Sequence, residues 1–427
     1  MALIFWAAIG PIPCKAESGE TSSAMTLSEV LDAAMATNPD LRATRAALDA
    51  ARGDRTIART YPFNPVIEWS KTTDKFGVNE GERSLSIGIS QEWEMGGQWA
   101  FRAVKGNREY RARVLDFQDG LREFKADVQS AFYRLLRLKE EEKLDQDLVE
   151  NAEALLSATR ERVKAGDVPA LDLDVAMLEA VKSRNALALT RASTTTARLG
   201  LNRLMGRSPD APLDIAGTFE EPFSIADLAQ AQTLALEYRP DAQAQKSRRD
   251  AAHTGFLLAR AESLPNLTTS LTYASDRSVL DLPNDVSVTN RDRLIGLRLS
   301  LPIPVFNWKI GERAKAAAQE REAEFRLTAK ELQVQEEVAA AWTSFQTQGE
   351  VYHGMAAEAL PLQAEVLERT REGYTLGEFD LTSILLQQDR AVAIRRQYLD
   401  SALAYTLARV DLEHATGTDG LSLTKGE

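Results

Sequence analysis

Between proline-marked breaks, short stretches of the chain alternate apolar and small polar residues with a period of two. Ile67 and Trp69 alternate with Glu68 and Ser70, and Leu85, Ile87 and Ile89 alternate with Ser84, Ser86, Gly88 and Ser90. Further on, Leu267, Thr269, Leu271 and Tyr273 alternate with Thr268, Ser270 and Thr272, and Ile295, Leu297, Leu299 and Leu301 alternate with Gly296, Arg298 and Ser300. This pattern predicts four strands, each with one apolar and one polar face. A transmembrane β-barrel needs such segments for a lipid face and a wet lumen; a half-buried soluble sheet satisfies the same pattern. Four strands cannot close around water, because even eight leave an interior filled by side chains. If the strands span a membrane, several chains must share one barrel. The polar connections from Asp74 to Arg83 and from Ser275 to Asp292 read as hairpin turns or longer loops that suit an outer face.

The remaining text is helical. From Trp99 to Lys164 there is no proline and only Gly106 and Gly120, so a continuous helix would run on the order of 100 Å. Phe117, Leu121, Phe124, Val128, Ala131, Leu135 and Leu138 recur at spacings of four and three, a coiled-coil-like seam. Lys139-Glu140-Glu141-Glu142-Lys143 interrupts it before Leu144, Leu148 and Leu155 resume, and these carboxylates read as helix surface. Lys309 to Leu376 repeats the plan with Val334, Val338, Ala341 and Phe345, while Gly349, Gly354, Pro361 and Gly373 predict bends or breaks there. The chain turns back at Lys164-Ala165-Gly166-Asp167-Val168-Pro169 and at Thr375-Leu376-Gly377-Glu378-Phe379-Asp380. Glycine suits the left-handed cap and Pro169 suits the next helix's first turn, so these are hairpin tips. Val168 and Phe379 are apolar at exposed turns, which points to a docking surface; folding back onto their own helices is the alternative.

The pattern occurs twice. Asn38-Pro39-Asp40-Leu41 is echoed by Arg239-Pro240-Asp241-Ala242, and the break Pro62-Phe63-Asn64-Pro65 by Leu264-Pro265-Asn266. Arg160-Glu161 aligns with Arg371-Glu372, Gly166-Asp167 with Gly377-Glu378, Ala197-Arg198 with Ala408-Arg409 and Gly206 with Gly417, all at a constant offset of 211. An internal duplication follows: a first repeat over 25–206, a linker over 207–223, a second repeat over 224–417 and a tail over 418–427. Residues 1–16 read as a signal peptide, with the apolar run Met1 to Ile9 followed by Gly10-Pro11-Ile12-Pro13 and cleavage after Ala16. Cys14 is a candidate for lipidation, although Ile12-Pro13 matches a lipoprotein cleavage box poorly.

Composition narrows the function. The 427 residues are 44% hydrophobic and 27% charged, with mean hydropathy −0.29, which argues for a folded protein that is not a helical membrane bundle. A net charge of −12 disfavours nucleic acid as a partner, and an acidic surface tolerates cations better than anions. Cys14 is the single cysteine and His253, His353 and His414 are isolated in helical text. No catalytic constellation, phosphate-cradling loop or metal-ligand spacing stands out, so no cofactor, metal site or enzymatic activity is expected.

Strand pairs joined to very long hairpins, in duplicate, resemble the outer membrane efflux (TolC-like) family. The residues that carry the resemblance are Asn38-Pro39-Asp40-Leu41, Gln91-Glu92-Trp93-Glu94-Met95-Gly96-Gly97-Gln98, Ser300-Leu301-Pro302-Ile303-Pro304-Val305-Phe306-Asn307 and the paired glycine tips. It covers Met25 to Gly417, and the second and third of these segments look most like the CzcC-like heavy-metal branch. The resemblance implies a mainly α chain with transmembrane β: a homotrimer whose protomers pool their strands into one outer membrane barrel and continue as a helical tunnel across the periplasm.

The resemblance also implies a passive conduit in a tripartite system, working with a periplasmic adaptor (membrane fusion) protein and an inner-membrane resistance-nodulation-division (RND) pump, with heavy-metal cations as cargo. The docking tips carried over are Ala165, Gly166, Asp167, Val168, Leu171 and Asp172 in the first copy. In the second they are Leu376, Gly377, Glu378, Phe379, Leu381, Thr382 and Ser383. TolC-like tips carry an entrance carboxylate six residues after the glycine. Asp172 keeps it and Ser383 replaces it in the second copy, so an acidic entrance here would comprise Asp167, Asp172, Glu378 and Asp380. Two alternatives stay open: an outer membrane conduit for drugs, organic solutes or type I secretion, and a soluble periplasmic coiled-coil scaffold.

Overall fold

The computed structural model describes residues 24–74, 81–219, 227–283, 286–376 and 378–417. The predicted signal segment 1–16 with Cys14, residues 220–223 of the linker, the tail 418–427 and Gly377 lie outside them. Helices α1 (Leu27–Thr37) and α2 (Pro39–Arg59) lead to strands β1 (Val66–Thr73) and β2 (Arg83–Trp93), then to α3 (Gln98–Ala165) and α4 (Ala170–Leu204). The second half follows the same order. Helices α5 (Leu228–Tyr238) and α6 (Pro240–Ala261) precede β3 (Leu267–Leu282) and β4 (Val286–Ser300), then α7 (Ile310–Gly354), a π-helical turn at Met355–Ala359, α8 (Leu360–Thr375) and α9 (Leu381–Thr416).

The strands form one antiparallel sheet in the order β1-β2-β3-β4. The expected loop from Ser275 to Asp292 is largely strand: Ser275 pairs with Arg293, Arg277 with Arg291 and Val279 with Thr289. Antiparallel pairing uses backbone groups that every residue here carries, whereas apolar alternation reports only what covers a face. The ladder therefore outruns the apolar pattern. The connection 74–83 contains residues outside the described set, and its ends are closed by Asp74, whose Oδ2 accepts from the Gly81 amide at 2.7 Å and the Glu82 amide at 3.0 Å.

The α1–α2 and α5–α6 breaks are paired joints built on the duplicated X-Pro-Asp text. Proline at the first turn of each second helix lacks the amide that would have continued the first. Asn38 donates from Nδ2 to the Leu204 carbonyl at 2.8 Å, and Arg239 donates from Nη1 to the Ala415 carbonyl at 3.2 Å; the two acceptors stand at the same offset as the aligned sequence. The glycine two residues after each acceptor turns the chain with positive φ, 64° at Gly206 and 70° at Gly417. A Cβ at Gly206 would lie 2.7 Å from the Thr37 carbonyl oxygen, and one at Gly417 would lie 3.1 Å from Arg239 Cγ. Both glycines are thus fixed by backbone angle and by close approach.

The chain divides into two compact units, and each draws on both sequence repeats. One consists of the described parts of Met1–Asn38, Asp127–Glu221 and Gly354–Thr406. Its core holds Phe132, Tyr133, Leu201, Met205 and Ile215, all fully buried, with the Phe132 and Tyr133 rings edge to face at 5.5 Å. Met25 is bridged to Ile215 of the linker, its amide donating to the Asp214 carbonyl at 2.9 Å. The other unit consists of the described parts of Pro39–Ala126, Pro222–His353 and Leu407–Glu427 and contains the sheet. There Val334 and Val338 of α7 pack with Ala231, Ala235, Ala242 and Ala415.

Helix α3 is continuous, as expected, but its seam is wider than the predicted stripe. Val128 and Leu135 are buried while Phe117, Leu121, Phe124, Ala131 and Leu138 are half-buried, and Ala112, Leu115, Phe132, Tyr133 and Leu136 are buried beside them. A helix with neighbours on more than one side buries a broad arc rather than one seam. The charged run is likewise not plain surface. Lys139 Nζ binds Asp214 and the Ile215 carbonyl, Glu140 pairs with Lys143, Glu142 with Arg191, and Glu141 with both Arg137 and Arg396. Of the positions where bends or breaks are expected in the second half, regular α structure is interrupted between Gly354 and Pro361, at a π-helical turn where the proline ring and missing amide are incompatible with α pairing, while Gly349 and Gly373 lie within continuous helix.

Candidate functional site at the hairpin tips

Helix α3 ends on Gly166 at φ 80°, where the Asp167 amide reaches back to the Arg162 carbonyl at 2.9 Å and the Gly166 amide to the Val163 carbonyl at 3.1 Å. This is a glycine-closed helix end. Pro169, extended at φ −64°, starts α4. At the second tip the Glu378 amide bonds the Gly373 carbonyl at 2.8 Å and the Leu376 amide bonds the Glu372 carbonyl at 3.0 Å. The long-reach bond of each tip joins residues that correspond at the repeat offset. Arg162 Nη1 donates to the Tyr374 hydroxyl at 3.1 Å, so the two tips lie side by side.

The tips differ in what they expose. In the first, Ala165, Gly166, Asp167 and Leu171 are exposed, whereas Val168 and Asp172 are half-buried. In the second, Leu376, Glu378, Phe379 and Thr382 are exposed and Ser383 is half-buried. Phe379 folds back on its own hairpin and stays partly exposed. Its ring lies on Gly373, where a Cβ would come within 2.5 Å of two ring carbons, and it still leaves 46% of its surface to solvent. Met177, Leu178 and Val181 extend the exposed apolar surface along α4.

Of the four acidic candidates, Asp167 and Glu378 project from the turns. Asp380 has a structural role: its Oδ1 caps α9 by accepting from the Ser383 amide at 2.9 Å and from the Ser383 hydroxyl. The Ser383 hydroxyl, followed by its amide, holds the Asp380 carboxyl below the usual range. Serine at 383 therefore replaces a free carboxylate with a cap partner. The Asp-x-x-Ser spacing is a helix-start signal that was legible in the sequence; Arg162, Gly373 and Tyr374 carried no comparable signal.

Above the tips, α3, α4 and α9 are tied by polar groups. Asp145 is fully buried and accepts from the Thr190 hydroxyl and from Arg396 Nη2, both at 2.6 Å. Arg137 Nη2 pairs with Asp400 at 2.7 Å. Lys182 Nζ bonds Asp389 at 2.7 Å, and this contact leads the groups that raise its pKa. The sheet-bearing unit has its own network, in which Arg239, 3% exposed in its side chain, meets Asp241 at 2.8 Å and Glu337 at 2.6 Å. Lys330 meets the same Asp241 at 3.1 Å. Burial pushes the Asp241 carboxyl up, but the Arg239 and Lys330 cations outweigh it and hold it well below the carboxylate range.

The histidines are dispersed. His253 Nδ1 lies 2.5 Å from Glu320, His353 stacks obliquely near Tyr352, and His414 is pushed toward its neutral form by burial and then by Arg122 and Arg239. Among the described residues no cluster of histidine, cysteine, aspartate and glutamate is arranged to hold a metal ion. No described helix is long and apolar enough to cross a membrane.

With strand pairs, two hairpin tips side by side and repeated Pro joints in place, comparison with known proteins is decisive. The outer membrane efflux protein family matches residues 30–207 and 232–418. The chain belongs to this family. It is an outer membrane efflux channel that extends into the periplasm, and a conduit rather than an enzyme. The soluble scaffold is thereby set aside.

The efflux channel is 23% identical to the cobalt-zinc-cadmium resistance protein CzcC of Cupriavidus metallidurans, over 89% of this chain and 87% of that protein. It is 28% identical to the pyoverdine export outer membrane protein OpmQ of Pseudomonas aeruginosa, over 55% of this chain and 49% of OpmQ. Its fold matches the outer membrane channel CmeC of Campylobacter jejuni with a TM-score of 0.74 at 16% identity, covering 97% of this chain and 94% of that one.

Proposed function

We propose that this efflux channel is the exit duct of a tripartite system that expels heavy-metal cations. The carrying observation is the match to CzcC along nearly the whole of both chains. The channel acts as a homotrimer: its sheet has only four strands, ordered β1-β2-β3-β4, too few to enclose water, and pooling strands between copies pairs the edges of β1 and β4. Substrate handed over by an RND pump enters through the hairpin tips, which a periplasmic adaptor holds. The exposed Leu171, Leu376 and Phe379 offer that adaptor an apolar footing, and Asp167 and Glu378 line the entrance with negative charge that favours cations. No proton transfer or bond rearrangement is needed; the channel contributes a path and a field.

A second cargo, organic molecules such as metal chelators, is favoured by the partial match to OpmQ. Growth of a deletion strain and its complemented control on graded zinc, cadmium, cobalt, nickel, copper and silver, beside a panel of drugs and chelators, separates the two. Metal sensitivity restored by complementation is the expected result. Sensitivity to drugs or chelators alone would keep the channel and replace its cargo. For the tips, Gly166→Pro combined with Gly377→Pro is expected to abolish export while leaving assembly intact; unchanged export from a correctly assembled channel would overturn the docking assignment.

A further inference from the structure

Directly paired residues in an antiparallel sheet project from the same face, so the strand register sorts the side chains of the barrel wall. One face carries the apolar rows Ile67–Ile89–Leu271–Leu297 and Trp69–Ile87–Tyr273–Ile295. In an outer membrane channel that face meets lipid. Following the same face toward the hairpin turns, the next row is Lys71–Leu85–Ser275–Arg293, and the one after it is Thr73–Arg83–Arg277–Arg291. The apolar band thus ends in five cations. Three of them, Arg83, Arg277 and Arg291, are direct neighbours across β2, β3 and β4. Strands lie about 4.8 Å apart and same-face rows about 7 Å apart, so the five cations occupy a patch comparable in size to a phosphorylated headgroup.

Like charges placed directly opposite one another destabilise a sheet, and no described side chain of the sheet relieves this row. The nearby carboxylates Asp276 and Asp292 pair with each other's positions on the opposite face. There Asp276 accepts from the Ser84 hydroxyl at 2.5 Å and Asp292 from Asn290 Nδ2 at 3.1 Å. Among the described residues none of the five cations forms an ion pair. Arg277 Nε is shielded from solvent without a hydrogen-bond partner. Gly81 borders that guanidinium: a Cβ there would stand in ordinary contact, 4.0 Å from Arg277 Nη2. All this occurs in a chain whose net charge is −12.

We propose that this patch binds the phosphate groups of the phosphorylated glycolipid in the outer leaflet. Arg83, Arg277 and Arg291 form the primary phosphate row, and Lys71 and Arg293 flank it at the margin of the apolar band. Three features select a lipid over a soluble anion: the cations continue the lipid-facing surface, they stand at the height where the apolar band gives way to headgroups, and guanidinium groups match phosphate oxygens in paired hydrogen bonds. The inference rests on the outer membrane assignment and is independent of the cargo.

The test is lipid retention by the full-length channel, purified in detergent and measured by native mass spectrometry. It compares a bis-phosphorylated lipid A, the same lipid with its phosphates removed, and inorganic phosphate as a competitor. The phosphorylated lipid is expected to be retained, the dephosphorylated one lost, and inorganic phosphate unable to displace the bound lipid. Combined Arg83→Gln, Arg277→Gln and Arg291→Gln is expected to weaken retention by about fivefold per cation, on the order of a hundredfold in all. Arg298→Gln, which alters the opposite face, should retain lipid as the parent does. Equal retention of the two lipids, displacement by inorganic phosphate, or an unaffected triple variant would each overturn the proposal. The two-lipid comparison uses the unaltered protein, so it decides even if the triple variant fails to assemble. Conductance of the same preparation in a planar bilayer reads the channel function separately.

Discussion

The two joints of the duplicated fold do the same job with different chemistry. At the first, neutral Asn38 holds the end of α4 through a hydrogen bond to Leu204, beside Thr37, whose hydroxyl binds the Met205 carbonyl. At the second, Arg239 holds the end of α9 through Ala415 and brings Asp241, Glu337 and Lys330 with it. Geometry was retained after duplication while the electrostatics diverged. An amide that caps a carbonyl is self-sufficient, whereas a buried guanidinium needs carboxylates, and those carboxylates need it. The second joint is therefore the more fragile one.

That contrast can be broken by substitution. Arg239→Ala leaves Asp241 with Lys330 alone and Glu337 to solvent, and is expected to cost about 3 kcal/mol, the low end for breaking a buried pair, read as a large fall in the thermal midpoint in detergent. Asn38→Ala removes one buried hydrogen bond and should cost about 1–3 kcal/mol; a larger effect at Asn38 than at Arg239 would reverse the comparison.

Acid sharpens it further. The Asp241 carboxyl is depressed in the folded state, so its contribution is complete above the ordinary carboxylate range, about pH 4, and is lost as pH falls through the lower folded value. Asp241→Asn should weaken the channel at neutral pH and flatten its acid unfolding profile, while Asn38 variants leave that profile unchanged. A milder effect is expected at His414, also depressed when folded. Its stabilisation is lost as pH drops below about 6.5, so His414→Gln should reduce the fall in midpoint between neutral and mildly acidic buffer. At the tips, Asp380→Ala removes the α9 cap. It should loosen the second tip, seen as faster amide exchange at Ser383, with little change at the first tip.

Much of this was legible in the sequence because it depends on spacing. Period-two alternation marked all four strands, the constant offset paired Gly206 with Gly417, and the long proline-free run located α3. The parts that were missed depend on which side of an element has a neighbour. A single four-and-three stripe does not describe α3, where Phe132, Tyr133 and Leu136 are buried although they lie off the predicted seam. The Glu140-Glu141-Glu142 run looks uniform in sequence, yet Glu141 alone faces Arg396 of α9. The extra length of β3 and β4 was hidden because polar residues pair through their backbones as readily as apolar ones.

The outer edges of β1 and β4 have a thermodynamic consequence. In the homotrimer proposed above, a sheet completed by other copies ties the stability of the fold to their concentration. Its midpoint should therefore rise with protein concentration, by mass action, and a stability quoted without that concentration would not describe a property of the molecule. Dilution should act on this channel as a denaturant does on an ordinary single-chain domain.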